Sequence, residues 1–443
     1  MPIQLSSHFT YKNLIKFTLP SIVMMIITQI YGVVDGLFVS NVVGSSAFAA
    51  MNLILPFTMS FGSIGFMLGT GGTALVARTL GEGNTEKANR IFSMIIYILT
   101  GFGIICSAAA VALIAPISRF LGATDVLLPD CISYGVIALV FMTAFMLQTT
   151  FQTFLVAAEK PEMGLKLSIA SGLTNIILDY LFICVLDWGI GGAALGTGIS
   201  QAVGAVIPLV YFSRKNDSTL RLTRFHWDGR ALLQSCTNGA SELMTNLSVS
   251  IVNMLYNFEL MKLAGANGVT AYGVIMYAML VFSAVFMGYS IGSAPVISFN
   301  YGARNHLEMK SLFRKSNIII GITSIVMTLA AEIFSTPLSR LFVGYDPELL
   351  AMTTHAMQLF SISYLFSGFN MFASSFFTAL NNGFVSALIS FLRTLVFQIG
   401  AILILPRFFG IEGIWLAVVA AEMLTLVIVI GLYARYKNRY QYL

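Results

Sequence analysis

The sequence predicts an all-α integral membrane protein: twelve transmembrane helices in two six-helix lobes related by a parallel internal repeat. Three observations predict it. First, 57% of the 443 residues are hydrophobic and only 10% are charged, whereas a soluble protein carries roughly 25% charged residues. Such a chain cannot cover even one large soluble domain and must face lipid over most of its surface. Second, clusters of charge, Gly, Pro and Asn divide it into twelve apolar runs, each near the ~20 residues that cross the hydrocarbon core as a helix. Strands of a membrane barrel would be ~10 residues long with alternating polarity, and these runs are long and apolar on all sides. Third, the chain repeats itself at an offset of 221 residues, the separation of Gly44 and Gly265.

The elements follow in order. The first run, 14–39, has Lys12 and Lys16 at its start and holds Pro20 and Asp35. It exceeds the about 7–15 apolar residues of a signal peptide. It therefore reads as a retained helix, although Ala47-Phe48-Ala49 imitates a cleavage site. Runs 49–76 and 91–117 are separated by the basic residues Arg78, Lys87 and Arg90. Run 131–156 carries Gln148 and Gln152, run 164–186 carries Asn175 and Asp179, and run 190–212 carries Thr197. The longest polar stretch, 213–230, comes next. The second six runs are 233–261 with Glu242, 269–299, 318–337, 352–380, 384–406 with Arg393, and 411–433 with Glu422. The domains expected are an N-terminal lobe (1–212), a cytoplasmic linker (213–230) and a C-terminal lobe (231–443).

At the same offset Gly71 falls on Gly292, Gly81 on Gly302, Asn84 on Asn305, Pro116 on Pro337, Arg119 on Arg340, and Gly189 on Gly410. These matches gather at helix ends and turns, where Gly and Pro have backbone reasons to sit. Six spans per copy is an even number, so both copies enter the membrane in the same direction, about an axis along the membrane normal. Nineteen of the 24 Lys and Arg lie on the side that holds both termini. The positive-inside rule makes that side cytoplasmic. The net charge of +5 is thus a matter of topology and not a nucleic-acid footprint. Cys106, Cys131, Cys184 and Cys236 form no CxxC pair, and the four histidines have no ligand spacing, so neither a disulfide framework nor a zinc site is expected.

Charged residues at bilayer depth cost about 2.5–3.5 kcal/mol on insertion scales, which makes them the candidates for function. Those within spans are Asp35, Asp179, Glu242, Glu422 and Arg393. Asp35, Asp179 and Thr197 lie at a similar level in the outer half of the first lobe. Asn175 lies on the face of Asp179, one turn deeper. Two carboxylates, an amide and a hydroxyl suit Na⁺, or a carboxylate pair sharing a proton. In the second copy Tyr256 stands in place of Asp35, so the copies share a scaffold but not this chemistry. Glu242 is placed to meet a cationic substrate or to pair with Arg393. A structural ion pair of Arg393 with Glu422 is the simpler reading. Gln148, Gln152, Glu242 and Arg393 are the candidate substrate contacts.

Gly288-Tyr289-Ser290-Ile291-Gly292 matches GxSxG. It lies in an apolar helix without a histidine partner, so helix packing and not a nucleophile elbow is expected. Close packing is also expected at Gly32–Gly36 and Gly192–Gly196. No Walker A sequence is present, so ATP does not drive the chain directly.

With Pro20 and the segment YGVVDGLFVSNVVG around Asp35, GGTALVARTLGEGN at the end of the second span, NIILD with Asn175 and Asp179, and GAALGTGIS with Thr197, the chain resembles the multidrug and toxic compound extrusion (MATE) family, bacterial MepA/DinF-like branch. The resemblance covers essentially the whole chain. It implies an antiporter that exports organic, often cationic, compounds against H⁺ or Na⁺. It further implies an ion site at Asp35, Asn175, Asp179 and Thr197, bending of the first helix near Pro20, and a switch between outward- and inward-open states. Glu242 and Glu259 are the nearest candidates for the C-lobe acids used by another branch. No cofactor beyond the coupling ion, no nucleic acid, a monomer in lipid, and the inner membrane of a bacterium are expected. There are two alternatives. A lipid-linked oligosaccharide flippase of the same architecture would need a cationic cavity, and an intramembrane enzyme would need a nucleophile–base pair.

Overall fold

A computed structural model describes residues 3–443, apart from the side chains of Leu37, Ser40, Asn41 and Ser45. Residues 1 and 2 of the expected first lobe lie outside it. Every regular element among the described residues is helical. Among the described residues nine helices are long and apolar enough to cross a membrane, and two further spans are bent pairs: Leu128–Val140 (α5) with Met142–Ala157 (α6), at 50°, and Pro347–Ser361 (α11) with Tyr364–Ala379 (α12), at 48°. The helix Gly229–Gly302 (α9) is nominally 74 residues, yet Gly265 has φ 62° and ψ −150°. A backbone in that region needs glycine and turns the chain back on itself, so α9 is two spans and the total is twelve.

The remaining spans are Tyr11–Phe38 (α1), Ser45–Gly81 (α2), Thr85–Ala112 (α3) with the short Ile114–Phe120 (α4), Pro161–Asp179 (α7), Gly189–Ser213 (α8), His306–Val343 (α10), Gly383–Phe391 (α13) extended by Gln398–Ile404 (α14), and Ile411–Tyr440 (α16) after the single turn Pro406–Phe409 (α15). The repeat is visible in the local structure. Gly44 and Gly265 both have positive φ, as do Gly189 and Gly410. Asn84 and Asn305 both cap their helices, accepting from the N–H of Lys87 and Glu308. The bends after Val140 and Ser361 fall at the same place in the two copies. Both breaks lie inside runs that periodicity alone reads as continuous.

The N-lobe core is one cluster that runs from Val39 to Ala231. The C-lobe core also takes in Leu5, Phe9, Leu14, Phe17, Met24 and Met25, so the first half of α1 packs into the other lobe. The two lobes close on the Lys/Arg-rich side. A methyl on Gly81 would lie 2.0 Å from the Phe299 carbonyl oxygen, one on Gly302 2.0 Å from that of Arg78, and one on Gly71 2.0 Å from that of Ser235. Ser298 donates to the Ala74 carbonyl across the same seam at 2.5 Å. Gly288 and Gly292, from the GxSxG match, press on the α1 backbone at Ile22 and Thr18, the packing role expected of them. Gly192 and Gly196 pack on Phe182 and Asp179. The expectation for Gly32–Gly36 fails: nothing lies within 4 Å of a methyl on Gly32, and only Phe48 at 3.8 Å from one on Gly36.

Candidate functional site

The site is built by α1, α7 and α8 of the N-lobe. Asp179 is the last residue of α7, and the chain then widens into a π-helical stretch, Tyr180–Val185. Such stretches gather at functional positions. The Asp179 side chain is fully buried, and neither carboxyl oxygen has a hydrogen-bond partner among the described residues. Its neighbour on α8 is Gly196, where a methyl would sit 2.4 Å from Oδ1. Glycine at 196 is therefore what lets α8 approach the carboxyl.

Asp35 comes from the far end of α1, and its carboxyl lies within reach of that of Asp179. Thr197 Oγ1 is 3.5 Å from Asp35 Oδ1, and Asn175 Nδ2 donates to Thr197 Oγ1 at 3.3 Å. Asn175 is fully buried, and its Oδ1 is left without a donor. The four residues singled out from the sequence thus converge. Buried polar atoms are nearly always paired, and a buried charge is paired or neutralised. Here the unpaired atoms are all oxygens. An all-oxygen donor set suits a hard cation, and a carboxyl pair equally suits a shared proton.

In the second ring, which also holds the Gln148 and Gln152 singled out from the sequence, sequence reasoning missed Tyr31, Tyr134 and Ser171. Tyr31 lies one turn from Asp35 on the same face and beside Gln148. Tyr134, from α5, is buried within electrostatic range of both carboxyls. Gln148 donates to Ser171 Oγ at 3.0 Å, and Ser171 donates to the Ser200 carbonyl at 2.6 Å. The i−4 spacing could have found Tyr31. Nothing in the sequence points from α5 to Asp35. Gln152 lies one turn beyond Gln148, buried, with Oε1 unpartnered.

Glu242 and Arg393 belong to a different place. Arg393 on the C-lobe pairs with Glu422 at 2.8 Å, and Asn370 donates to the other Glu422 oxygen at 2.7 Å. Glu242 is half-buried on α9 within electrostatic range of Arg393. Pro20 lies inside α1, at the level where that helix rests on Gly288 and Gly292 of α9.

Twelve spans in two repeated halves, with one of them pairing a fully buried carboxyl with a half-buried one, define a membrane transporter by class. The chain belongs to the MatE family, whose profile matches residues 20–181 and again 243–403, once per lobe. It is similar to the multidrug export protein MepA of Staphylococcus haemolyticus, 24% identical over 93% of this chain and 90% of that one. The MepA of Staphylococcus aureus strain MSSA476 is 23% identical over 94% and 91%. Among solved structures it is similar to an outward-facing multidrug resistance MATE family transporter of the MOP superfamily (TM-score 0.92, 20% identity, 98% and 97% covered). It is also similar to a MATE in the bent conformation (TM-score 0.89, 20% identity, 98% and 97% covered). At that identity the likeness speaks for the fold.

Proposed function

We propose that the protein is a secondary active antiporter that exports small organic compounds, chiefly cations, in exchange for H⁺ or Na⁺. The observation that carries this reading is the fully buried Asp179 carboxyl, without a donor, facing Asp35. Such a pair holds a proton or, with the oxygens of Asn175 and Thr197, a Na⁺. A cationic substrate and the coupling ion compete for the same negative charge, and their mutual exclusion makes the exchange obligatory. Asp35 lies beyond Pro20 on α1, so bending at Pro20 moves one carboxyl relative to the other and couples ion release to the helix. Glu242, Gln148 and Gln152 are proposed to contact substrate along the path. The multidrug export named for the staphylococcal relatives supports the substrate class.

The lobes are taken as 1–212 and 231–443 with the linker 213–230. Both termini are cytoplasmic, in the inner membrane of a bacterium, and the protein acts as a monomer in lipid without a cofactor or nucleic acid. On that topology the closed seam at Gly81 and Gly302 is cytoplasmic, so the lobes adopt an outward-open arrangement. A flippase for lipid-linked sugars is disfavoured because Arg393, the deep cation, is already paired with Glu422.

The test is dye efflux from proteoliposomes under an imposed pH or Na⁺ gradient. Asp35→Asn and Asp179→Asn should each lose gradient-driven efflux while still reaching the membrane. Ser290→Ala, whose hydroxyl makes no bond, should export normally. Wild-type rates from Asp35→Asn under the same gradient would overturn the coupling site and turn attention to Glu242.

A further inference from the structure

A groove of about 800 Å³ lies between the first turns of α10 and the last turns of α16, with Tyr442 and Leu443 also in its lining. Lys310, Arg314 and Lys437 line it, no acidic residue does, and none of the three cations takes part in an ion pair among the described residues. The two helices run in opposite directions, so polarity changes along the groove. The cations hold the end toward the Lys/Arg-rich surface. Asn317 and Ile318 follow on α10, ~12 Å deeper at 1.5 Å per residue between positions 310 and 318. Ile430 lies at the deep end of α16. Ile318 and Ile430 are 40% and 59% exposed, so this end opens onto the lipid-facing surface.

The repeat shows what such a groove holds in the other lobe. The counterparts of Lys310 and Arg314 at the 221-residue offset are Asn89 and Ser93. There the groove is filled by the linker: the Arg221 N–H donates to Asn89 Oδ1 at 2.9 Å, and the Thr223 N–H donates to Ser93 Oγ at 2.8 Å. Two acceptors that receive backbone N–H groups are thus replaced, in the C-lobe, by two cations that cannot accept. A polypeptide fits the first groove, and an anion fits the second. Because the second also runs from cations into an apolar, lipid-facing end, its ligand has a charged head and a hydrocarbon tail.

We propose that this C-lobe groove is a binding site for an anionic phospholipid. Its phosphate lies among Lys310, Arg314 and Lys437, and an acyl chain lies against Ile318 and Ile430. Tyr442 and Leu443, the offset mates of the linker residues Arg221 and Leu222, also line the groove, so the lipid fills the part beside the exposed Lys310 and Arg314 that the chain itself leaves open. The site is remote from the carboxyl pair, and the proposal does not depend on the transport reading.

Native mass spectrometry of the full-length protein, released from bilayers of phosphatidylglycerol and phosphatidylcholine, tests it. The wild type should retain phosphatidylglycerol about tenfold over phosphatidylcholine, since each cation near the surface attracts an anionic lipid by about a fewfold. The triple variant K310Q/R314Q/K437Q should lose this preference. R214Q/R221Q/R224Q, which removes as much charge elsewhere on the same side, should keep it. Ile318→Trp, which crowds the tail end without touching charge, should lower retention as well, and it decides the matter if the triple variant does not fold. Unchanged retention in the triple variant or in Ile318→Trp, an equal loss in the control, or displacement of the lipid by inorganic phosphate would each overturn the proposal. The last result would mean a site for free anions.

Discussion

Two buried carboxylates in this protein are treated in opposite ways. Glu422 receives a guanidinium and an amide, and Asp179 receives nothing. The first is satisfied and holds two helices together, whereas the second is left without a hydrogen-bond donor among the described residues. Their substitutions should therefore separate cleanly. Arg393→Ala leaves Glu422 5% exposed with its countercharge gone, at a cost of about 3–5 kcal/mol. The expected outcome is reduced folded yield and a lower unfolding midpoint in detergent. Normal yield with loss of one substrate class would move Arg393 into the binding site. Asp179→Asn removes a charge that no protein group balances, so its folded yield should be preserved and only gradient-driven efflux lost. The two partners of Glu422 were not equally legible. Arg393 was visible as the only deep cation, but Asn370 is one polar residue among many in an apolar helix, and only packing assigns it.

At the scale of elements, α1 is the helix that belongs to both lobes. Its first half packs in the C-lobe core through Leu14, Phe17 and Met24, and its far end carries Asp35 to α7 and α8. Pro20 removes one backbone N–H from the ladder, and a proline inside a helix costs about 3 kcal/mol or more. Pro20→Ala should straighten and stabilise α1, raising the unfolding midpoint while slowing exchange, read as initial efflux rate. An unchanged rate would show that α1 does not bend during transport. The π stretch after Asp179 and the bends after Val140 and Ser361 were invisible in the sequence. Each lies within an apolar run whose residues accept any helical register, and what selects the break is the neighbour, as where Gly192 presses on Phe182.

At the scale of the whole molecule, the lobes meet through glycines that the repeat pairs with each other. Gly81 and Gly302 are repeat mates, and each lies against the partner helix's backbone. Valine at either position cannot fit without separating the ends, so Gly81→Val and Gly302→Val should hold the lobes apart on this side. Cysteines placed at Arg78 and Tyr301, now 5.4 Å apart from guanidinium to ring, should then crosslink less than in the parent protein. Undiminished crosslinking would show that the seam yields elsewhere. The topology is checked separately by labelling intact cells. A cysteine near Arg221 should stay protected and one near Gly122 should react with a membrane-impermeant reagent. The reverse pattern would invert the protein.

What the sequence by itself determined is the number of spans, their approximate limits, the repeat, and the depth of each polar residue. Hydrophobic length, charge asymmetry and the spacing along a single helix are local quantities, and they survive without knowledge of partners. Asp35, Asp179 and Thr197 could be placed at one level, with Asn175 one turn deeper, for that reason. What only the tertiary structure decided is which faces meet. The sequence treated Gly32–Gly36 and Gly192–Gly196 alike, yet the first pair is open and the second touches Asp179. Tyr134 joins the carboxyls from α5, and the linker covers Asn89 and Ser93 but leaves Lys310 and Arg314 uncovered. The rotation of a helix about its own axis, and the neighbour that it thereby meets, depends on how all twelve pack at once, because lipid solvates every apolar face equally well and so selects none of them.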